Sequence, residues 1–465
     1  MSHRAKWQSL VVRISVVAIM LVAGWLIDGA APCLAADQPP AAAQPAVVPL
    51  AVTPAAAQPV ATPAPAPAPT GFFDDLATRS SLTDHFFGLG KAASDAGVDV
   101  SLGLTQAYQQ VLNGGTSVHN KAGRYAGLYE LEVNFHLEQL LGIQGGRIRS
   151  LTFGSWSSGV DPHAVGSLTG VNNWAFGDHS VWVEQLYYEQ MFLNNKVFVR
   201  VGKIDLTDGF RMCDCPVAFD GNSYANNKFE QFVNGALVDN PTIPFPQPGL
   251  AAVVHVQPLE WWYVSMAAAD GRGQFRTNGL DTTFDDDARI FSLYETGVTP
   301  RMPSCHGPLQ GAYRIGFWND QGSRRDLDGT GISNNNFGLY VSCDQKLWNE
   351  NDTKDGQGLG AFFRWGTDNA DAYAIKGFWS AGLQYQGLIP SRDKDVTGLG
   401  FASSRLADSP LAGFTQNNES VVEAYYNIML TPWCQIIPDI QYVAHPGGGA
   451  TSDATVIGLR VQINF

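Results

Sequence analysis

The side chains with the most chemistry in them recur on alternate residues of a few short segments. Glu423, Tyr425, Asp439, Gln441 and Arg460 share one parity over Val421 to Leu430, Gln435 to Val443 and Thr455 to Phe465; Arg200 falls on the matching parity of Lys196 to Lys203, and Tyr340, Asp344, Lys346 and Trp348 on that of Phe337 to Trp348. Carboxylate, guanidinium, ammonium, amide and phenol groups on one face can hold a polar solute through charge-assisted hydrogen bonds, each worth on the order of 1.5–3 kcal/mol against leaving the partner unsatisfied. The rings beside them supply apolar faces. Bond-breaking chemistry finds no such support. There is no Gly-x-Ser-x-Gly elbow, and the 9 histidines are scattered singly, with no His and Ser pair on facing segments and no orienting acid, so no catalytic residue is assigned.

Metal ligation fares no better. Cys213-Asp214-Cys215 resembles half of a zinc site, but no second Cys/His pair follows at the required spacing. Asp326-Leu327-Asp328-Gly329 and the run Asp285 to Asp287 offer oxygen ligands without the twelve-residue calcium loop and its terminal Glu, and fit solvated loops better. No metal and no cofactor is expected. The formal charge of −14 argues against nucleic acid, whose phosphates demand clustered Lys and Arg.

Alternation at period two is the pattern of strands. It begins where Val98, Val100, Leu102 and Leu104 alternate with Asp99, Ser101, Gly103 and Thr105, and it recurs in segments of about ten residues between turn-rich stretches such as Asn113-Gly114-Gly115, Asn194-Asn195 and Pro446 to Gly449. Val181 to Phe192 is another clear segment. In the last one, Thr455, Ile457, Leu459, Val461, Ile463 and Phe465 fall on one side, and Val456, Gly458, Arg460, Gln462 and Asn464 on the other. One side suits lipid, the other water. A soluble β-sandwich would accept the same apolar face, so periodicity alone leaves both folds open.

The N-terminus shifts the balance. Arg4, Lys6 and Arg13 precede an uncharged run from Ile14 to Ile27 and then small residues to Ala35 and Ala36, the layout of a secretory signal peptide. At about 14 residues the run falls short of the roughly 20 that a spanning helix needs. Pro32 directly before Cys33 argues against lipidation. With 45% hydrophobic residues dispersed in alternation and no later apolar run of spanning length, a membrane fold for this chain has to be a closed barrel, because lipid tolerates no unpaired backbone groups. From residue 98 to 465, roughly 23 residues per strand and connection gives about sixteen strands, enough for a water-filled lumen.

The reading by region is a signal peptide over 1–35, an Ala/Pro-rich spacer over 36–70, an N-terminal segment over 71–97 and a barrel over 98–465. The spacer, ending in the Pro-Ala run Pro63 to Pro69, cannot bury a core and acts as a semi-rigid tether. In the third region Leu82, Phe86, Phe87, Leu89, Ala92, Ala93 and Ala96 have helical spacing, with Thr83 as N-cap and Gly97 past the end. Five cysteines follow the signal: Cys213, Cys215, Cys305, Cys343 and Cys434. An oxidising compartment permits at most two disulfides among them, and Cys434 is expected to be dispensable for stability. Trp174, Trp182 and Trp433 are assigned to aromatic girdles at the membrane interfaces.

Several motifs then become familiar in series. Glu419-Ser-Val-Val-Glu423-Ala-Tyr425-Tyr426, Thr431-Pro432-Trp433, Ile437-Pro438-Asp439-Ile440-Gln441-Tyr442, His445-Pro446-Gly447-Gly448 and the ending Gly458-Leu459-Arg460 to Phe465 resemble the carbohydrate-selective porin family typified by OprB. So do Arg200-Val-Gly202-Lys203-Ile-Asp205 after the Glu184 to Gln190 strand, with Phe219 and Asn222 downstream, and Gly338-Leu339-Tyr340 leading to Asp344-Gln345 and Leu347-Trp348. The resemblance covers about Asp84 to Phe465; the spacer and the Cys213-Asp214-Cys215 pair lie outside it. It implies an all-β, sixteen-stranded antiparallel transmembrane barrel, a monomer in the outer membrane of a Gram-negative bacterium, passing glucose and other sugars by diffusion. The alternative is a general porin, or one for another solute class.

On that reading Arg200, Asp344, Lys346, Trp348, Glu423, Tyr425, Asp439, Gln441 and Arg460 are candidate pore-lining residues, although inward charges also simply hydrate a barrel interior. The partners implied are mono- or oligosaccharides, outer-membrane lipid and, through the aromatic C-terminal Phe465, the machinery that inserts barrels.

Overall fold

The structure is a computed structural model that describes residues 72–210, 226–280, 283, 289–351, 356–368, 372–409 and 412–465. The expectations for 1–35, for 36–70, for Cys213, Cys215, Phe219 and Asn222, and for Asp285 to Asp287 fall outside those residues. Among the described residues no helix is long and apolar enough to cross a membrane.

The alternating segments become sixteen long strands: β1 (Val98–Gly115), β2 (Gly123–His136), β3 (Gly146–Trp156), β4 (His179–Phe192), β5 (Val197–Ile204), β6 (Gly249–Leu259), β7 (Trp262–Asp270), β8 (Ile290–Val298), β9 (Leu309–Asp320), β10 (Asn336–Asn349), β11 (Gly358–Asp368), β12 (Ile375–Gln386), β13 (Val396–Leu406), β14 (Asn418–Thr431), β15 (Cys434–Ala444) and β16 (Ser452–Asn464). Each pairs antiparallel with its sequence neighbours, and β1 pairs with β2 on one edge and with β16 on the other. Tyr108 faces Tyr125 across one ladder and Leu459 across the other. The sheet therefore has no free edge, which is what lets it stand in lipid. Short turns at 193–196, 260–261 and 432–433 mark the end where β1 begins and β16 finishes; long connections at 157–178, 205–248 and 271–289 mark the opposite end. In barrels of this kind the short turns are periplasmic and the long loops extracellular.

The two faces separate as period two requires. Outward positions such as Ile315, Phe317, Leu339, Leu383, Leu399, Ile440 and Leu459 form an exposed apolar band, while the alternate positions Arg314, Asp344, Arg364, Glu423 and Arg460 are buried inside. Cys343 and Cys434 are free thiols on the outward parity, and Cys305 is disulfide-bonded.

Two local expectations change. The helix read over 82–96 is broken. Thr83 does cap it, accepting from the Phe86 N–H at 3.0 Å, but Asp84 to Phe87 wind with φ between 52° and 60°, the left-handed sense, and only Leu89–Asp95 is a regular helix; neither piece has a buried residue. A further helix, Phe72–Thr78, precedes them, and its Leu76 carbonyl accepts from the Trp433 indole at 2.8 Å. The second change is at Trp348. A register shift between Lys346 and Trp348 turns that ring out of the lumen parity onto the outer surface, 44% exposed and 6.0 Å from the Tyr385 ring. A one-residue slip moves a side chain to the other face of a sheet.

Candidate functional site

Sixteen strands enclose more space than their own side chains fill, and two extracellular connections fold inward to occupy it. The first spans 157–178; the second joins β5 to β6 and is described at 205–210 and 226–248. They touch each other where the Gly235 N–H donates to the Gly170 carbonyl at 3.0 Å and Asn173 N–H donates to the Val233 carbonyl at 2.9 Å. A side chain at Gly235 would place its Cβ 1.9 Å from the Thr169 carbonyl, so only glycine permits this approach.

Most of the sequence-selected residues hold these loops to the wall. Glu423, fully buried, accepts from the Val233 and Asn234 backbone N–H groups at 2.8 and 2.9 Å. Gln441, opposite it on β15, accepts from the Asn234 amide at 3.0 Å and donates to the Val171 carbonyl at 3.0 Å and to Asp439 at 3.0 Å. Arg460, 2% exposed, donates to the Lys228 carbonyl at 2.6 Å and to the Gln231 carbonyl. Tyr425 packs edge-on against Phe232 at 4.9 Å. A further anchor, Glu419, captures the other loop through Ser167, Leu168 and Thr169 and also accepts from the Gly447 N–H at 2.8 Å.

The remaining selected residues lie in separate clusters. Arg200 donates to Glu189 at 2.6 Å and stacks over Phe198, and Glu189 also binds Arg147. Asp344 bridges Arg314 and Arg364, at 2.8 Å to each. Lys346 donates to the Gly356 carbonyl near a short turn. Tyr340 shares Glu295 with Tyr263. Trp174 and Trp182, assigned above to membrane girdles, are instead fully buried inside: Trp182 donates to Glu184 and meets Phe153 edge-on at 5.6 Å, because β4 turns its lumen face toward the inward loop there.

A group with a different character sits between the second loop and β2 to β5. The Lys228 ammonium lies over Phe153, Phe176 and Phe229, 5.3–5.9 Å from their centroids, and among the described residues it makes no hydrogen bond or ion pair. Asp205, Asp208, Asp239 and Glu130 surround it at longer range. Burial alone would pull its pKa down; those four carboxylates more than offset that, and the ammonium is held above its usual range. Arg149 closes one side, bound to Glu132 at 2.9 Å and 3.9 Å from Asp208, which also accepts from the Gln185 amide at 2.7 Å. On the extracellular side Phe176 leads to Phe275, 5.6 Å away and 41% exposed, where the Arg276 guanidinium stacks at 4.6 Å. This chamber offers donors, acceptors and ring faces that are not all consumed by the fold.

Of these residues the sequence reading quoted Glu184 and Asp205 within motifs and singled out none. Lys228, Asp208, Asp239, Phe176 and Phe229 belong to connections, where no periodicity marks a side chain as inward. Glu130 and Phe153 lie on β2 and β3, whose alternation could have found them.

The chamber has a pH dependence. Burial pushes the Asp205 carboxyl up to about 7, helped by Asp208 and Glu184 and opposed by Lys228 and the Thr207 N–H. Burial likewise lifts Asp161, in the first loop, to about 7 beside Glu419. Raised carboxyls are neutral in the folded protein below that pH and ionise above it, so the lumen gains negative charge as pH rises through 7, while the stability they lend the folded loops is lost from the ordinary carboxylate range up to about 7 and no further above it. Cation-over-anion permeability should therefore climb between pH 5.5 and 8.5. Asp205→Asn should make the climb shallower. Reversal potentials under a potassium chloride gradient read it directly, and a flat parent profile contradicts it.

Comparisons with known proteins converge. The family model described as "Carbohydrate-selective porin, OprB family" matches residues 120–465. Porin B of Pseudomonas aeruginosa is 23% identical over 414 residues, covering 80% of this chain and 88% of that protein, and Porin AaxA of Chlamydia pneumoniae is 20% identical over 66% of this chain and 64% of its own. The high-pH structure of Pseudomonas putida OprB superposes with a TM-score of 0.71 at 19% identity, covering 84% of this chain and 99% of that one, a likeness that speaks for the fold.

Proposed function

The chain belongs to the carbohydrate-selective porin family of OprB type, and from that premise we propose that glucose-like sugars diffuse through it by way of the Lys228 chamber. The fold supplies a closed sixteen-stranded barrel, and the family places such barrels in the outer membrane of Gram-negative bacteria as channels. The observation that carries the route is the ammonium, unpaired among the described residues, over three rings, with carboxylates around it. A pyranose has hydroxyls at its rim and C–H groups on its faces. Rings accept the faces, while Lys228 and the carboxylates donate to and accept from the rim.

The inward loops act as the narrowing, with Glu423, Gln441, Asp439 and Arg460 setting its shape from the wall, while Arg200, Asp344 and Lys346 brace the wall from buried clusters of their own. In a liposome-swelling assay glucose should enter faster than a non-sugar solute of equal size, and Lys228→Met should reduce that advantage. Equal rates for all solutes of one size favour a general porin instead.

Assembly gives a further expectation. Phe465 closes the barrel through its N–H to the Leu102 carbonyl at 2.9 Å, beside the β1 and β16 seam. Deleting it should leave the protein in the periplasm, unable to show heat-modifiable migration; wild-type amounts in the outer membrane would overturn a role for this residue in insertion.

A further inference from the structure

Turns that face the periplasm would ordinarily be polar, yet three successive ones, after β2, β4 and β6, present large apolar side chains. Leu141 is 70% and Leu193 73% exposed, and Ile143 and Trp261 are exposed beside them. Hydrogen bonds join these turns side by side: the Met191 N–H donates to the Gly145 carbonyl at 2.9 Å and the Gln257 N–H to the Lys196 carbonyl at 2.7 Å. The first turn also folds back over the outer wall. A Cβ at Gly146 would lie 2.9 Å from Ile143 Cγ2 and 3.4 Å from the Tyr188 hydroxyl, so Ile143 sits at the same point of the wall as Tyr188, which is on the outward parity of β4 next to the inward Glu189. The Tyr188 hydroxyl donates to Gln190, whose amide donates to the Gln144 carbonyl of the turn at 2.8 Å. The N-terminal segment extends the same rim. It is clamped where the Leu82 N–H donates to the Asn464 carbonyl and the His136 N–H to the Gly97 carbonyl, both at 2.8 Å, and between the clamps Phe87 is 85% and Leu89 73% exposed.

From this continuity, and resting on the outer-membrane placement above, we infer that the periplasmic rim from Phe87 to Trp261 is a lipid-docking surface, seated in the boundary between headgroups and acyl chains of the inner leaflet. The occupant is phospholipid, because the surface runs through Ile143 and Tyr188 into the apolar band that lipid already covers. Exposed Glu138, Asn194, Asn195, Lys196 and Glu260 border the apolar residues, the mixture that an interfacial element needs to meet headgroups on one side and acyl chains on the other. An apolar surface of this extent on a barrel's rim marks a contact with lipid or with another chain, and the outer wall decides for lipid.

Photocrosslinking reads the contact. The full chain carrying Leu141→p-benzoylphenylalanine, or the same substitution at Phe87 or Leu193, is reconstituted in phosphatidylethanolamine and phosphatidylglycerol liposomes and irradiated. Phospholipid adducts should exceed those of the probe at Asp393, an exposed residue of the turn 387–395 at the same end, on the order of tenfold, because an interfacial element sinks its apolar face about 5–10 Å into that boundary. Trp261 reports without an added group: the fluorescence lost on mixing in phosphatidylcholine brominated high on its acyl chains should be smaller in Trp261→Phe than in the parent. Heat-modifiable migration of each variant shows that the barrel is formed. Adducts to a second copy of the chain, to residues 36–70 in place of lipid, or lipid adducts at Leu141 no more frequent than at Asp393 overturn the docking surface, as does equal quenching in the parent and Trp261→Phe.

Discussion

Replacing Glu423 by Ala is expected to open the channel. Its carboxylate is the acceptor for two buried backbone N–H groups of the inward loop, Val233 and Asn234. Removing it leaves both unsatisfied, at roughly 1–3 kcal/mol each, a cost that the loop avoids by leaving the wall. Even the lower figure for the pair shifts the loop-open population by roughly thirtyfold. Arg460 holds the preceding turn through the Lys228 and Gln231 carbonyls, so release at 233–234 also loosens the Lys228 chamber. Single-channel conductance should rise, with flicker between two levels, and block by glucose should weaken. Glu423→Gln keeps one acceptor oxygen and should act more weakly in the same direction. Combined with Arg460→Gln it should give less than the sum, because both groups hold one loop segment. Unchanged conductance and unchanged block in Glu423→Ala would show that the loop does not depend on this anchor.

The second large effect is on stability. Asp344 is the shared partner of Arg314 and Arg364, and all three side chains are almost wholly buried. Without the carboxylate both guanidinium groups lose a buried countercharge, and breaking a buried pair typically costs about 3–5 kcal/mol. Asp344→Ala should therefore unfold at a markedly lower temperature in the heat-modifiability assay. Adding Arg314→Met and Arg364→Met to Asp344→Leu should recover part of the loss, since apolar substitution of buried ion pairs is often neutral. By contrast Asp95→Ala, which removes the exposed Lys91 and Asp95 pair, should leave the transition where it is. If Asp344→Ala and Asp95→Ala behave alike, the triad is not a stabilising unit.

The barrel was legible in the sequence because a lipid-facing strand cannot hide its period. Thr455 to Phe465 reads as a strand with Arg460 inward, and β16 spans Ser452–Asn464 with Arg460 buried. Trp348 went wrong because parity carries no record of a bulge; the slip after Lys346 is visible only once β10 is paired with β11. Glu423 and Arg460 were found for their chemistry, yet what they hold could not be read from them, since Val233, Asn234 and Gln231 meet them across nearly half the chain. Lys228 shows the same limit from the other side. Its neighbours Asp205, Asp239 and Phe176 come from two loops, and a loop's direction is set by glycines such as Gly235 and by backbone hydrogen bonds that leave no alternation behind.

Glucose block of the ion current decides the central claim. Purified protein in a planar bilayer, bathed in potassium chloride and titrated with glucose, should show a current that falls along a saturable curve, with excess noise from single sugar residence events, and Lys228→Met should shift that curve to higher concentration. A current that falls only in proportion to bulk viscosity, in the parent and the variant alike, would contradict a sugar-holding chamber and leave a general pore.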